Sequence, residues 1–291
     1  MEVIIKFMKK SEYYTKIFEQ NINILKCPIC DGKFHILGSS LRCKSGHTFD
    51  LSSKGSLNLL YPPKKPGRVY SAELWANREA VFTSGFFELL IKEVTDIIAN
   101  SALSNFIIAD LGCGEGSFLR EIAKRTGAAA SIGIDISKEA INRAVSKPAF
   151  PAMWLVSNVA ALPLADNSVD VAITMLSPSN YAECRRVVKN GGLIIKILPG
   201  KNYLTEIREA LFEGEQTESF DNTETTALFK EIFGDVSEKN ISYSFETPAE
   251  ILPQIFAMTP MSGERDYPEA VLSKIRRISA EFKILYSTLI K

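Results

Sequence analysis

The chain has 291 residues, 46% of them hydrophobic, and its 34 basic residues balance 34 acidic ones. This length suits one large domain plus a small one, and the composition is typical of soluble globular proteins. The N-terminus lacks the apolar stretch and cleavage site of a signal peptide, and no segment approaches the ~18 apolar residues of a membrane span. We therefore expect a cytoplasmic protein.

Residues 1–24 form an N-terminal extension. Tyr13, Tyr14, Ile17 and Phe18 recur at helical spacing there. This pattern predicts a short amphipathic helix that packs on the body of the protein.

Three of the five cysteines lie close together and are followed by a histidine: Cys27, Cys30, Cys43 and His47, spaced C-x2-C-x12-C-x3-H. Two tight pairs of soft ligands separated by a loop can close a tetrahedral zinc site. A disulfide would leave the histidine unexplained and does not suit the reducing cytosol. Because four protein ligands leave no position open for a water, we predict a structural Zn²⁺. His35 lies inside the loop at poor spacing and is predicted to be a surface or packing residue.

Residues 27–68 carry seven basic side chains against two acidic ones, a net charge of about +5 in a neutral chain. The basic residues are Lys33, Arg42, Lys44, Lys54, Lys64, Lys65 and Arg68, and the interleaved aromatic residues are Phe34, Phe49, Tyr61 and Tyr70. Such a surface suits an unpaired RNA loop, through phosphate contacts and base stacking. The alternative is a solvated surface with a few core aromatic residues. Residues 62–67 (PPKKPG) predict a semi-rigid linker.

Residues 72–100 show the apolar spacing of a helix, interrupted at Ser84 and Gly85. The pattern predicts two helices that lead into the larger domain.

Residues 106–116 (FIIADLGCGEG) are an apolar run that ends on Asp110, followed by Gly112, Gly114 and Gly116. The run predicts a buried strand, and the helical spacing after it places the glycines in a strand-to-helix turn. In such a turn a ligand can approach the bare backbone and the positive end of the helix dipole. The spacing differs from the G-x-G-x-x-G of dinucleotide-binding folds. It resembles motif I of the S-adenosylmethionine (SAM) methyltransferases, whose acid helps to orient the amino-acid end of the cofactor.

The next strands end on polar residues in the same way. Residues 131–135 end on Asp135, 19 positions beyond Gly116, and a carboxylate there can accept both ribose hydroxyls of an adenosine. Residues 153–158 end on Asn158, where SAM methyltransferases usually place Asp or Asn against the adenine. The sequence therefore predicts an α/β, Rossmann-like class I SAM methyltransferase domain beside a small N-terminal zinc-binding domain.

Further elements are predicted downstream. Strands are expected at 169–176, 193–198 and 282–290, and helices at 181–189, with 190–192 as its C-cap, and 251–258. Residues 206–250 carry twelve acidic against three basic side chains. Phosphate should avoid that surface, so an RNA-binding face is expected near the zinc module.

Several motifs together resemble one family, the large-subunit (23S) rRNA guanine-N1 methyltransferases of the RlmA group. They are CPIC at 27–30, the segments 43–50 and 55–60 (GSLNLL), DLGCGEG at 110–116, RRVVKNGG at 185–192 and MTP at 258–260. The resemblance runs from about residue 27 to residue 291. Phe87 stands where the family often has Tyr, and Tyr203 where it often has His.

The resemblance implies a domain order and a set of cofactor-binding residues. The order is 1–24 extension, 25–62 zinc-binding RNA-recognition domain, 63–100 linker and helices, and 101–291 methyltransferase domain. Together with the strand-end pattern, the expected SAM-binding residues are Phe87, Asp110, Gly112, Gly114, Glu115, Gly116, Asp135, Asn158 and Tyr203.

The resemblance also implies a function: methylation of a guanine N1 in a hairpin loop of large-subunit rRNA, with a homodimer as a further expectation. Guanine N1 carries a proton, so a base or anion-stabilising group is expected near the methyl. The exit of the fourth strand, 177–181, lies where a flipped base would enter, but no catalytic residue is assigned. Two alternatives remain: a methyltransferase for a small molecule or protein, and a non-catalytic RNA-binding adaptor.

Overall fold

A computed structural model of the chain describes residues 9–63, 71–147, 150–211, 220–259 and 269–291. Five residues of the predicted motifs lie outside these ranges: Lys64, Lys65, Arg68, Tyr70 and Pro260. The same holds for residues 64–67 of the predicted linker.

The N-terminal part is a helix followed by a small three-stranded sheet. Helix α1 spans Lys10–Gln20 and buries Tyr14, Ile17 and Phe18, as the helical spacing predicts. The antiparallel strands of the small sheet have the order β1-β2-β3. They are β1 Phe34–Leu37, β2 Ser40–Cys43 and β3 Thr48–Asp50.

The large domain is built on an eight-stranded sheet with the order β10-β11-β9-β8-β5-β6-β7-β4. Its strands are β4 Leu57–Asn58, β5 Ile107–Leu111, β6 Ala130–Asp135, β7 Ala152–Val156, β8 Val169–Met175, β9 Val188–Pro199, β10 Ser237–Glu246 and β11 Arg277–Thr288. The strands from β4 to β9 pair in parallel, whereas β10 and β11 add an antiparallel edge. The carboxyl ends of the parallel strands therefore meet at one edge of the sheet, where open α/β sheets bind ligands.

Helices accompany the sheet. They are α2 Ala72–Thr83, α3 Glu88–Ala99, α4 Ser117–Thr126, α5 Lys138–Ser146, α6 Tyr181–Val187, α7 Thr205–Leu211, α8 Thr223–Phe233, α9 Leu252–Ala257 and α10 Glu269–Leu272. The predicted break at Ser84 and Gly85 is confirmed, because α2 ends and α3 begins around it. No helix in the described ranges is both long and apolar enough to cross a membrane.

The zinc module is joined to the large sheet. Strand β4 pairs with β7, with Leu57 opposite Leu155 and Asn58 opposite Val156. The Lys26 N–H donates a hydrogen bond to the Pro163 carbonyl (3.0 Å). The module is thereby fixed to the strand that leads to Asn158.

The prediction that residues 190–192 cap helix α6 was wrong. The helix ends at Val187, and β9 begins at the next residue and runs through the glycines. The Gly191 N–H donates to the Leu289 carbonyl (2.7 Å), and the Leu289 N–H donates to the Gly192 carbonyl (2.7 Å). Cross-strand pairing with the C-terminal segment satisfies these backbone groups, so no helix cap is formed.

Candidate active site and metal centre

The four predicted metal ligands converge on one point. The Sγ atoms of Cys27, Cys30 and Cys43 and a ring nitrogen of His47 all lie within 4.8 Å of one another. The Cys30 and Cys43 sulfurs are 3.6 Å apart, and His47 Nδ1 lies 3.6 Å from the Cys27 sulfur and 3.4 Å from that of Cys43. Tetrahedral zinc needs separations of about 3.8 Å between sulfurs and about 3.6 Å between sulfur and nitrogen. The residues fit a closed, structural zinc site.

Two tight turns form this geometry. The Asp31 N–H donates to the Cys27 carbonyl (2.8 Å), and the Gly46 N–H donates to the Cys43 carbonyl (3.0 Å). Gly46 adopts a φ of +89°, which favours glycine. Each turn presents one ligand pair, as the C-x2-C and C-x3-H spacings predict. His35 is exposed on β1, which agrees with its predicted surface role.

The surface of the zinc module is basic. Lys33, Arg42, Lys44 and Lys54 are exposed, and within the described ranges none of them forms an ion pair. The aromatic residues of the module differ in their exposure. Phe34 is buried and packs edge-to-face on Phe49 at 5.7 Å between ring centroids, whereas Tyr61 is exposed. Phe34 therefore belongs to the module's own core and offers no free face to an RNA base. Phe49 is half-buried, and base stacking on Phe49 and Tyr61 stays a prediction.

A cavity of about 690 Å³ lies at the carboxyl edge of the parallel strands. This volume is within the usual range of small-ligand sites. Five predicted cofactor residues line it: Phe87, Gly112, Asp135, Asn158 and Tyr203. They come from distant parts of the chain. Gly112, Asp135 and Asn158 meet because β5, β6 and β7 end at the same edge of the sheet, whereas Phe87 precedes α3 and Tyr203 follows β9.

Asp135 ends β6 in the wall of the cavity. Its Oδ2 accepts a hydrogen bond from the Gly114 N–H and its Oδ1 accepts one from the Ser137 N–H, both at 2.8 Å. Burial raises the pKa of this carboxyl group. Each carboxylate oxygen keeps a further lone pair, so the side chain can also accept ribose hydroxyls.

Asp110 lies two residues before Gly112 and is fully buried, with no hydrogen-bond partner for Oδ1. Burial raises the pKa of Asp110 to about 7, while the positive charge of Arg78 lowers it and the charge of Asp135 raises it. A buried oxygen without a partner is costly. The ammonium group at the amino-acid end of SAM would offset that cost, so the carboxylates at this edge fit SAM.

The glycines of the turn make room for neighbouring side chains. A Cβ on Gly114 would come within 2.8 Å of the Trp75 ring, and a Cβ on Gly116 within 2.5 Å of the Trp154 ring. The φ angles of Gly114 and Gly116, +55° and +80°, also favour glycine. Close packing by two tryptophans is thus a second reason for the glycine spacing.

Four predicted cofactor residues are not among those that line the cavity: Asp110, Gly114, Glu115 and Gly116. Of these, Glu115 is engaged in contacts of its own. Its buried carboxylate pairs with Lys147 and accepts a hydrogen bond from the Ser117 hydroxyl (2.8 Å). Lys147 also pairs with Glu79 of α2 at 3.2 Å. These contacts connect the glycine turn to α2, the helix that carries Trp75 and Arg78 of the cavity wall.

Two aromatic residues close the cavity on another side. Phe87 stacks on Phe82 at 4.4 Å between ring centroids, and Tyr203 packs against Phe282 at 5.1 Å. Burial raises the pKa of the Tyr203 hydroxyl. Both side chains line the cavity, and their contact with a bound cofactor stays a prediction.

The loop after β8 forms the remaining wall. Residues 177–180 line the cavity, and the Ser177 hydroxyl donates to the Leu111 carbonyl (3.0 Å). The buried Lys196 of β9 donates to the Ser177 carbonyl and to the Ser179 hydroxyl (2.8 Å for the latter). Burial lowers the pKa of Lys196 to about 8. This lysine therefore holds the loop that forms this wall of the cavity.

Sequence reasoning missed three residues of this site: Trp75, Arg78 and Lys196. The first two belong to the apolar pattern that predicts helix α2, and nothing in that pattern indicates that the helix crosses the cavity. Lys196 interrupts an otherwise apolar strand, and that interruption was the available signal.

Comparisons with known families match both modules. The family described as "RlmA, N-terminal", a zinc ribbon, matches residues 25–66, and the family described as "Methyltransferase domain" matches residues 108–192. The first match contains all four metal ligands. The second contains the glycine turn, Asp135 and Asn158.

Individual relatives resemble most of the chain. A Bacillus subtilis (strain 168) protein described as a candidate 23S rRNA (guanine-N(1)-)-methyltransferase, YxjB, is 35% identical over 250 residues, which cover 83% of this chain and 88% of the relative. The 23S rRNA (guanine(748)-N(1))-methyltransferase of Streptomyces fradiae is 25% identical over 268 residues, which cover 91% of this chain and 95% of the relative. The similarity therefore spans the zinc module and the cavity together.

Proposed function

This chain belongs to the family of 23S rRNA (guanine-N1) methyltransferases, and from that premise we propose that it methylates N1 of a guanine in a hairpin loop of large-subunit rRNA. The observation that carries the proposal is the joint presence of a Cys3His metal centre and a nucleoside-sized cavity with Asp135 and Asn158 at its wall. When bound, SAM supplies the methyl group from its sulfonium.

The connection between the modules supports a shared substrate. Strand β4 follows the zinc ligands and pairs with β7, and the segment after β7 brings Asn158 to the cavity. A hairpin held on the basic zinc module would therefore be fixed relative to the cavity. Such positioning of nucleophile and methyl group accounts for much of the rate enhancement in a transfer of this kind.

The entering guanine would reach the cavity along residues 177–180. A base inside a stacked loop has to be turned out before its N1 can be approached. Lys196 holds this loop through the Ser177 carbonyl and the Ser179 hydroxyl, so its contribution is to position the wall that receives the base. We assign no group to removal of the N1 proton.

The remaining assignments follow from this function. Residues 25–62 act as the RNA-recognition domain and residues 101–291 as the methyltransferase domain, with residues 63–100 as linker and helices. The enzyme works in the cytoplasm, where its rRNA substrate is made. A homodimer remains a prediction from the family resemblance.

The test is methyl transfer with the purified protein. With labelled SAM and large-subunit rRNA we expect label in RNA and, after digestion, 1-methylguanosine by mass spectrometry. The Asp135→Ala variant is the matched control. Losing the ribose contacts should weaken SAM binding by about 2–3 kcal/mol, which is roughly 30- to 150-fold in the dissociation constant. Label found only in a small molecule or a protein would refute the rRNA assignment.

A further inference from the structure

Arg78 carries the one positive charge among the described residues that line the cavity. It lies on α2 with its guanidinium carbon 5.9 Å from the centroid of the Trp75 ring. No carboxylate in the described ranges lies within ion-pair distance of it. The next residue, Glu79, is tied to Arg143 (2.6 Å) and Lys147 (3.2 Å). Helix α2 therefore anchors itself through Glu79 and presents Arg78 to the cavity.

The charges around Arg78 locate it at one end of the cavity. Burial raises the pKa of Asp110, of Asp135 and of the Tyr203 hydroxyl, and the positive charge of Arg78 opposes that rise in all three. Trp75, which Arg78 overlies, covers Gly114 in the turn after β5. Arg78 therefore lies near the turn, on the side where Asp110 is buried.

SAM presents different groups to the two ends of such a cavity. The adenosine end suits Asp135 and Asn158, and the amino-acid end carries an ammonium and a carboxylate close together. Asp110 matches the ammonium, whereas the carboxylate needs a cationic donor. A guanidinium binds a carboxylate through two parallel hydrogen bonds, and this geometry gives specificity as well as attraction.

We propose that Arg78 binds the α-carboxylate of SAM and so selects ligands that carry the complete amino-acid end. The inference rests on the proposed function, because it takes SAM as the ligand of the cavity. Arg78 acts here as a binding and specificity residue, and it takes no part in bond making.

The test compares two ligands that differ at this end. S-adenosylhomocysteine (SAH) carries the carboxylate, and 5′-deoxy-5′-methylthioadenosine lacks the whole amino-acid portion. Arg78→Gln should weaken SAH binding by about 10- to 150-fold, the usual effect of losing a charged hydrogen bond, and leave methylthioadenosine binding unchanged in titration calorimetry. Arg78→Lys should restore part of the SAH affinity, because it keeps the charge and loses the two-point geometry.

Glu73→Gln is the matched control, since it removes a charge at an exposed position of the same helix that does not line the cavity, and it should leave the ratio of the two affinities unchanged. A wild-type measurement adds a check that needs no variant: decarboxylated SAM should bind more weakly than SAM. Equal weakening of both ligands in Arg78→Gln, or unchanged SAH binding, would overturn the inference and leave the proposed function intact. Wild-type protein that binds neither ligand would overturn both.

Discussion

Asp110 is a fully buried carboxyl group, and its Oδ1 has no hydrogen-bond partner, which is costly for the free protein. Its carboxyl group is fully buried with a pKa of about 7, raised by burial and by the charges of Asp135 and Glu115, and lowered by Arg78. The folded-state pKa lies above the ordinary value of 3.8. Stability contributed by this group is therefore present at low pH and is lost as the pH rises towards 7.

A cationic ligand would offset the cost of ionising the buried Asp110 carboxyl group, so SAM binding should depend on pH. The ammonium group favours ionised Asp110, so the affinity for SAM should fall as the pH drops below about 7. Asp110→Asn should weaken binding roughly 10- to 150-fold at pH 8 and much less at pH 5.5. Calorimetry on both proteins across this range is the measurement. The ligand's own amino group titrates equally in both, so parallel pH profiles would contradict the prediction.

Lys196 makes the stability of the protein depend on pH in the opposite direction to Asp110. Its pKa is lowered from 10.5 to about 8 by burial, and the neighbouring Cys184 opposes that shift. The unfolded chain therefore binds more protons between these values, and stability rises with pH across that window. Relative to Lys196→Met, the wild type should gain about 2 kcal/mol in free energy of unfolding between pH 7 and 9.5.

Urea unfolding at several pH values measures this difference. Conversion to Met keeps the volume and removes both hydrogen bonds to the loop after β8. We also expect slower methyl transfer with little change in SAH affinity, because Lys196 holds the loop at the base entrance. A constant stability difference from pH 7 to 9.5 would contradict the assignment of a buried, shifted lysine.

At the scale of elements, the parallel core could be predicted from sequence and the edges could not. Strands β5 to β8 are apolar runs because they are buried on both faces of the sheet. Each run ends at an Asp, an Asn or a polar turn, and this change in polarity marks where the strand stops. Strand β4 has two residues, too few for any periodicity. Strand β10 is exposed over most of its length and carries three charged residues, as edge strands often do, and it was not predicted.

The residues of the candidate site also fall into those that could be predicted from sequence and those that could not. Asp135, Asn158 and Gly112 could be placed because strand ends carry their own signal. Arg78 and Trp75 could not, because their position depends on how α2 packs across the sheet. The error at residues 190–192 has a similar origin. Two glycines after a helix usually form a C-cap, and only pairing with Leu289, about a hundred residues later, makes them part of a strand.

The zinc site gives a prediction for the small sheet. Cys30→Ser should abolish binding of one zinc equivalent and loosen β1–β3, because a structural metal contributes folding energy where it binds. SAH affinity should persist, since no described cavity residue belongs to 25–62. Elemental analysis, hydrogen exchange and calorimetry measure the three effects.

Cys184→Ser is the control for thiol loss, since this buried cysteine lies on α6, away from the metal ligands. That variant should keep its zinc. Wild-type protein purified without chelator and found free of zinc would refute the site.

For the whole molecule, an even total charge conceals an uneven distribution. Residues 27–68 carry a net charge of about +5, and residues 206–250 carry twelve acidic against three basic side chains. A phosphate backbone is attracted to the first region and repelled by the second. We therefore expect this charge distribution to orient bound RNA towards the zinc module.

This asymmetry predicts the effect of reversing charges on the zinc module. Lys44 and Lys54 are exposed, so the double change Lys44→Glu and Lys54→Glu should weaken binding to all RNA sequences alike. Each lost phosphate contact should reduce the slope of log affinity against log salt by roughly 1. The control is Lys92→Glu with Lys124→Glu, which makes the same change in net charge on α3 and α4 and should keep the wild-type slope. SAH affinity should be the same in all three proteins, because none of these lysines lines the cavity. Equal losses in the two double variants would mean that net charge alone drives RNA binding, and that the zinc module does not direct it.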